Sequence, residues 1–283
     1  MKKTKRSISR ELGLEIGSIC GKYFFKIEHL HYGYWTGKYE VELLNLPLAQ
    51  EEYANFIISH IPKGVSSILD VGCGTGQVAR RLLDMGYKVD CVSPSPYLKQ
   101  RAGELLGEQS HIFECFYENI ETQNRYDMIM FCESFQYINI EKALANSEKL
   151  LNKDGYMLIS DVFKKNVEGP KSMRGGHKLE KFLGLAEQSP FKQLENIDIT
   201  EQTAPNMDME SEVMEKVAGP VMNAGLRFFQ SRHPIVLKIL MWKYRKELEK
   251  MEKKYLGGGR TGEDFRKFKT YQMFLYQKQN SKQ

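Results

Sequence analysis

The chain has 283 residues, 41% hydrophobic and 27% charged, with a formal net charge of +5. That length buries one large core with room for an insertion and argues against two independent domains. The mild positive charge, much of it in the C-terminal third, favours an anionic partner only weakly.

Cysteines stand at positions 20, 73, 91, 115 and 132, odd in number and without a CxxC pair. Neither a disulfide framework nor a zinc ribbon is indicated, and free thiols are expected. The basic N-terminus is interrupted by Glu11, Gly13 and Glu15 before an apolar stretch could form a signal segment or a membrane span. A cytoplasmic protein is expected.

In chain order, an aromatic patch comes first, Tyr23-Phe24-Phe25 and His29-Leu-His-Tyr-Gly-Tyr-Trp35, followed by a helix over 48–60. From Ser66 short apolar runs alternate with helical patterns. Strands are predicted at 67–71, 88–92, 111–116, 126–132 and 156–163, and helices at 77–85, 97–106 and 140–151. Such alternation means parallel crossovers and a doubly wound sheet. A Gly175-Gly176-His177 loop, a short helix and a strand near 194–200 follow, then a helical region over about 206–256 and a closing strand at 269–278. The division predicted is an N-terminal helical and aromatic cap (1–64), an α/β core (65–204), a helical lid insertion over the sheet's carboxyl edge (205–265) and the closing strand (266–283).

Ile68-Leu-Asp-Val-Gly-Cys-Gly-Thr-Gly76 falls on a strand-to-helix turn, where ligands collect in an open α/β sheet. Glycines let the backbone approach a ligand, and the N–H groups opening the next helix suit a carboxylate or phosphate. A dinucleotide fingerprint needs glycine at 72, 74 and 77, but position 77 is Gln.

The pattern, GxGxG preceded by Asp70, resembles the first motif, hhDxGxGxG, of the class I S-adenosylmethionine-dependent methyltransferases. The resemblance covers about 65–163 closely and the rest loosely. His31-Tyr-Gly-Tyr-Trp35 and Cys132-Glu-Ser-Phe-Gln-Tyr-Ile138 look like the small-molecule enzymes of quinone, tocopherol and natural-product pathways. It implies a Rossmann-like, doubly wound, mostly parallel seven-stranded sheet with an antiparallel last strand. S-adenosylmethionine is then the cofactor and S-adenosylhomocysteine the product. Asp70, Gly72, Cys73, Gly74, Gly76 and Gln77 are expected around its methionine end, and Cys132 and Glu133 beside it. The adenine side falls to Tyr117 or Glu118, and Tyr34 and Trp35 either fold over the cofactor or fill the core.

The resemblance also implies an acid at the end of the second strand, where this chain has Ser93 followed by Pro94. A serine makes one neutral hydrogen bond to a ribose oxygen, whereas a carboxylate accepts two charge-assisted ones. Asp90 cannot substitute, because residues three apart on a strand face opposite sides. The expectation is weakened donor binding, with Ser95 or a water helping; the alternative is a degenerate site or one that takes a different ligand.

A sulfonium methyl is already activated, so positioning dominates, with acid–base help only for a protic acceptor. Tyr137 stands where many such enzymes carry His and is either an orienting group or a packed aromatic. His177 is the preferred general base, since imidazole titrates near neutrality, unless it is an incidental loop residue. No metal is expected: His29 and His31 have no partner in sequence, and Ser160-Asp161-Val162 replaces the Asp-Asn pair of catechol-type enzymes.

From Leu237, the apolar positions Leu240, Met241, Tyr244, Leu248, Met251 and Tyr255 recur at helical spacing among Lys243, Lys246, Lys250, Lys253 and Lys254. A core-packed helix with a solvated basic face, aided by Glu249 and Lys253, is the preferred reading; the other is a face meeting a membrane, acidic lipid or carrier protein. The partner expected is a small, hydrophobic, lipid-like acceptor. Nucleic acid is disfavoured, because Phe131-Cys-Glu-Ser134 replaces the Asp/Asn-Pro-Pro-Tyr/Phe loop of base methylases. Two rivals remain: a cofactor-binding scaffold without turnover, and an NAD(P)-dependent oxidoreductase, whose YxxxK pair occurs only as Tyr34 and Lys38, upstream of the glycine loop.

Overall fold

The computed structural model describes residues 5–173, 175–246, 249 and 260–279. Helices α1 (Lys5–Phe25) and α2 (Leu46–Ser59) precede the sheet. The core then runs β1 (Ser67–Val71), α3 (Gln77–Asp84), β2 (Lys88–Val92), α4 (Pro96–Leu106), β3 (Ile112–Phe113), β4 (Tyr126–Cys132), α5 (Ile140–Leu150), β5 (Leu151–Lys164), α6 (Leu179–Glu187) and β6 (Phe191–Asp198). After it come α7 (Thr200–Thr203), α8 (Pro205–Val213), α9 (Gly219–Arg232), α10 (Pro234–Lys243), α11 (Gly262–Phe268) and β7 (Lys269–Lys278).

The seven strands form one sheet in the order β3-β2-β1-β4-β5-β7-β6. Pairing is parallel through β5, and β7 runs antiparallel between β5 and β6. The chain works outward from β1 to β3 and then returns to β4. The order reverses between β1 and β4, and that reversal opens a crevice at their carboxyl ends.

One apolar layer packs α2 and α3 on the sheet through Tyr53, Ile57, Ala79 and Leu82, and the other packs α5 and α6 through Ala143, Leu144, Phe182 and Ala186. Alternate residues of each strand feed the two layers, which is why the central strands read as continuous apolar runs. Ser95 caps α4, its hydroxyl accepting from the N–H of Leu98, with Pro96 in the first turn; Asn139 caps α5 through the N–H of Lys142.

The structure corrects several boundaries. The third strand is only Ile112–Phe113, because the edge chain turns at once into a 3-10 turn, Tyr117–Asn119, that carries the Tyr117 ring into the core. Strand β5 begins at Leu151, directly after α5, and β6 ends at Asp198, since Thr200 opens α7. The predicted long helical region widens into a π turn at Met214–Ala218, just ahead of Pro220, and breaks at His233-Pro234, where proline cannot donate to the preceding turn.

The core-packed reading of the basic lid helix fails over its described part. Helix α10 lies against α9 and buries no side chain. Leu248, Lys250, Met251, Lys253, Lys254, Tyr255 and the glycines at 257–259 lie outside the described residues. Among the described residues the lid meets the core at its two ends, α8 through Met207 and α11 through Phe265. Among the described residues no helix is long and apolar enough to cross a membrane.

Candidate functional site

The glycine turn lies at the carboxyl end of β1. Gly72, with φ +82°, directs its N–H to the Val92 carbonyl at 2.8 Å and so ties the turn to β2. A Cβ at Gly72 would fall 2.4 Å from Cβ of Ser134, whose hydroxyl bonds the Val71 carbonyl from the loop after β4. Gly76 (φ +88°) opens α3 hard against Ala102 of α4. The space a side chain would take at these two glycines is thus filled by Ser134 and Ala102, and the turn leads directly into the first N–H groups of α3.

A strap from the N-terminal segment crosses this turn. The Thr75 hydroxyl donates to the Glu28 carbonyl at 2.6 Å, and Gln77 Nε2 donates to the Glu28 carboxylate at 3.0 Å. Gln77, expected at a ligand, is held by the chain itself.

Ser93 is buried at the end of β2 with only long contacts to the next turn, 3.4 Å from the N–H of Ser95 and 3.5 Å to its carbonyl. Ser95 caps α4, and Pro94 is exposed beside it. Asp90, in the middle of the strand, is engaged elsewhere, accepting from Tyr126 (2.7 Å), Asn124 (3.2 Å) and the N–H of His111 (3.2 Å). No carboxylate stands in for the missing acid from β2.

Three carboxyls gather around the crevice instead. Asp70 is buried and burial alone lifts it to about 7. Asp161, at the end of β5, is lifted by burial to about 7 against the opposing pull of the N–H groups of Gln136 (2.9 Å) and Val162 (2.6 Å). Glu133 follows β4 in the left-handed region, φ +56°, a conformation costing about 1–3 kcal/mol and typical of functional sites. Burial raises Glu133 to about 8, although it accepts from the N–H of Tyr32 (2.7 Å) and the Tyr271 hydroxyl (3.1 Å). It retains partial exposure, as a group that meets a ligand must.

The Tyr271 hydroxyl also meets Tyr53 at 2.8 Å, and Tyr53 donates to Ser160 at 2.8 Å. Above Glu133 the Tyr32 hydroxyl donates to Met207 Sδ at 3.6 Å, and its ring lies 6.3 Å from those of Phe265 and Tyr271. Glu133 is thus flanked by the other carboxyls on one side and by aromatic rings and a thioether on the other.

Other expected site residues are drawn elsewhere. Tyr117 fills the core, its ring edge-on to Phe131 and its hydroxyl 3.0 Å from Ser147, and Glu118 accepts from the N–H of Asn139 at 3.2 Å. Tyr34 stacks on Phe56 at 4.9 Å, and Trp35 is buried among Ala49 and Met209, its indole donating to Asn206 at 3.3 Å. Of the aromatic patch, Tyr32 is the residue that reaches Glu133. Cys73 is buried beside Cys91, and the hydrogen bond to that neighbour, then burial, push its thiol up; Cys132 lies near Tyr53 and Asp70, its thiol raised chiefly by burial.

Tyr137 is 60% exposed on the 3-10 turn Phe135–Tyr137. His177 Nε2 lies 3.1 Å from the Phe135 carbonyl and 2.8 Å from the Ile138 carbonyl. Two acceptors require that this nitrogen carry the proton, so His177 pins the loop after β4, and Nε2 is unavailable as a base.

Asn206 gave no sign of its role in the sequence. Buried on α8, it accepts from the N–H of Gly33 (2.8 Å) and donates to the carbonyls of Gly33 (2.8 Å) and Thr203 (2.7 Å), sewing the aromatic segment to the lid. His31 and His29 form a chain to Glu51, 2.9 and 3.0 Å per link. Among the described residues no three His, Cys, Asp or Glu side chains are grouped to hold a metal.

Residues 48–208 match a family described as a methyltransferase domain. A Bacillus cereus (strain 03BB102) protein described as an uncharacterized methyltransferase is 28% identical over 137 residues, 45% of this chain and 64% of its own length. The chain thus matches less than two thirds of such relatives. Geranyl diphosphate C-methyltransferase from Streptomyces coelicolor A3(2), solved with Mg2+, geranyl diphosphate and S-adenosyl-L-homocysteine, superposes with TM-score 0.63 at 14% identity, covering 98% of this chain and 99% of that one. A putative sarcosine dimethylglycine methyltransferase from Galdieria sulphuraria gives 0.62 at 18% identity, covering 89% and 94%. The cyclase SpnF gives 0.65 at 16% identity and 96% of both chains. At these identities the likeness is one of fold.

Proposed function

Since the chain belongs to the methyltransferase-domain family, we propose that it moves the methyl group of S-adenosylmethionine to oxygen, carbon or nitrogen of a small hydrophobic acceptor. The observation that carries this reading is the bare glycine turn and the Glu133 carboxyl side by side at the ends of β1 and β4.

The residues present fit such a ligand at its methionine end. The left-handed backbone at Gly72, Gly74 and Gly76 packs the turn against Ser134, Leu30 and Ala102 and sets the α3 N-terminus, whose N–H groups suit a carboxylate. Asp70, Asp161 and Glu133 oppose an ammonium and a sulfonium, and the faces of Tyr32 and Tyr271 add cation–π attraction. At the ribose, Ser93 supplies one hydroxyl. The bound cofactor supplies an activated methyl, with S-adenosylhomocysteine as the product.

The chain's own contribution is to orient and desolvate. Tyr32, Met207 and Phe265 exclude water above Glu133 and suit a greasy acceptor. For a protic acceptor, Glu133 accepts the proton, because its raised pKa of about 8 lies near working pH. His177 and Asp161 act as positioning residues, fixing the loop after β4 through its carbonyls and the Gln136 N–H. Tyr137, on that loop, guides the acceptor.

Ser93 is the observation that favours a second reading, an adenosyl-binding protein without turnover. Calorimetric titration with S-adenosylmethionine, S-adenosylhomocysteine and NADH, beside Ser93→Asp, tests both. Binding of the two adenosyl ligands but not NADH is expected, tighter in the variant. Silence from both proteins toward the adenosyl ligands sinks the proposal, and binding without turnover against a cell extract moves it to the second reading.

A further inference from the structure

Helix α10, Pro-Ile-Val-Leu-Lys-Ile-Leu-Met-Trp-Lys, is apolar nearly all round, with Lys238 and Lys243 the only charges. A helix of that composition belongs in a protein core or in lipid, yet its Ile235, Ile239 and Trp242 are 74%, 57% and 77% exposed. Helix α9 adds Val221 and Phe228 at 67% and 64%. This apolar surface is far more continuous than scattered surface residues would give.

The charge on the same segment is one-sided. Residues 219–246 include Arg227, Arg232, Lys238, Lys243, Arg245 and Lys246 and not one Asp or Glu. All six cations are exposed, and two lie over rings of the segment, Arg232 5.5 Å from the centroid of Phe228 and Lys243 5.6 Å from that of Tyr244. A two-fold contact with a second copy would set these cations against one another. An anionic lipid surface satisfies both features, taking the apolar side chains into the acyl boundary and the cations at the phosphates. At ten residues α10 is too short to span a bilayer and long enough to lie in its interface.

We infer that α9 and α10 dock the protein on an anionic membrane surface, which leaves the aromatic cluster at the lid's base near a source of lipophilic molecules. The inference does not rest on methyl transfer, and its test needs no cofactor.

The full chain is mixed with vesicles of phosphatidylcholine alone or with about one third phosphatidylglycerol, at low salt and about 0.5 M salt. Trp242 fluorescence is read beside co-sedimentation; the other tryptophan, Trp35, is buried. Binding to anionic vesicles, a blue shift and weakening by salt are expected. The Lys238→Gln/Lys243→Gln double variant should lose about thirtyfold in partitioning, from about 1 kcal/mol per cation. Trp242→Asp should lose at least about tenfold while keeping the wild-type thermal midpoint. Absence of binding overturns the inference, as does equal binding to neutral vesicles. A dimer that Trp242→Asp converts to monomer, with vesicles ignored, overturns it in favour of self-association.

Discussion

Replacing Glu133 with Gln should make stability less sensitive to alkaline pH. The carboxyl has its ordinary value of 4.5 in the unfolded chain and is raised to about 8 in the fold, chiefly by burial. The native state therefore binds the proton more tightly. The resulting stabilisation is complete below about pH 4.5 and is lost as the pH climbs to about 8, where the buried group ionises. At about 1.4 kcal/mol per unit, the full effect is about 4–5 kcal/mol, and relaxation around a partly exposed group reduces it to about 1–3 kcal/mol. Gln keeps an oxygen for the N–H of Tyr32 and the Tyr271 hydroxyl but has no proton to lose. Urea unfolding at pH 6 and pH 9, a window that holds somewhat more than half of the effect, should show Glu133→Gln gaining about 0.5–2 kcal/mol on the wild type between the two. Equal differences at both pH values would refute the claim that Glu133 titrates in the fold near neutrality.

The same carboxyls predict that affinity for a cationic adenosyl ligand rises between about pH 6 and 8.5, measured by calorimetry, because Asp70 and Asp161 at about 7 and Glu133 at about 8 become anionic across that window; a flat profile would remove them from the site. Ser93→Asp should tighten S-adenosylmethionine about tenfold or more, through charge-assisted bonds to the ribose, while lowering the ligand-free thermal midpoint because a charge enters a buried position. Gly72→Ala combines a left-handed φ with a Cβ 2.4 Å from Ser134 and should cost about 2–5 kcal/mol, read by chemical denaturation. Asn206→Ala leaves the Gly33 peptide without its side-chain partner and should cost about 2–4 kcal/mol while loosening the lid, seen as faster amide exchange in α8.

The strand–turn–helix at 67–84 was readable because apolar period, glycine spacing and helix onset agree locally. The left-handed turn after β4 and the Glu133–Tyr32–Tyr271 cluster were not, because those residues lie far apart in sequence and meet only once β7 inserts between β5 and β6. Tyr34 and Trp35 misled for a related reason. Composition marks an aromatic segment as important without saying which ring turns inward, and here the Gly33 peptide, clamped by Asn206, sends Tyr34 toward α2 and leaves Tyr32 at the site. His177 looked like a base because titration range was weighed without its neighbours, two backbone carbonyls that only the folded loop supplies. The lid erred differently: helical period predicts a helix but not what covers it, and α10 found no core.

The contact between Gly72 and Ser134 bears on how sequences with this fold can drift. The two positions sit on loops from neighbouring strands, 62 residues apart, with one Cβ filling the only volume between them. A side chain at 72 meets the Cβ of any residue but glycine at 134, and even with glycine there it would carry the strain of a left-handed φ. Substitution is therefore asymmetric. Position 134 can shrink at the cost of the hydroxyl's bond to the Val71 carbonyl, whereas position 72 cannot grow without displacing Ser134, so among descendants of this chain glycine should be kept at 72 more strictly than serine at 134.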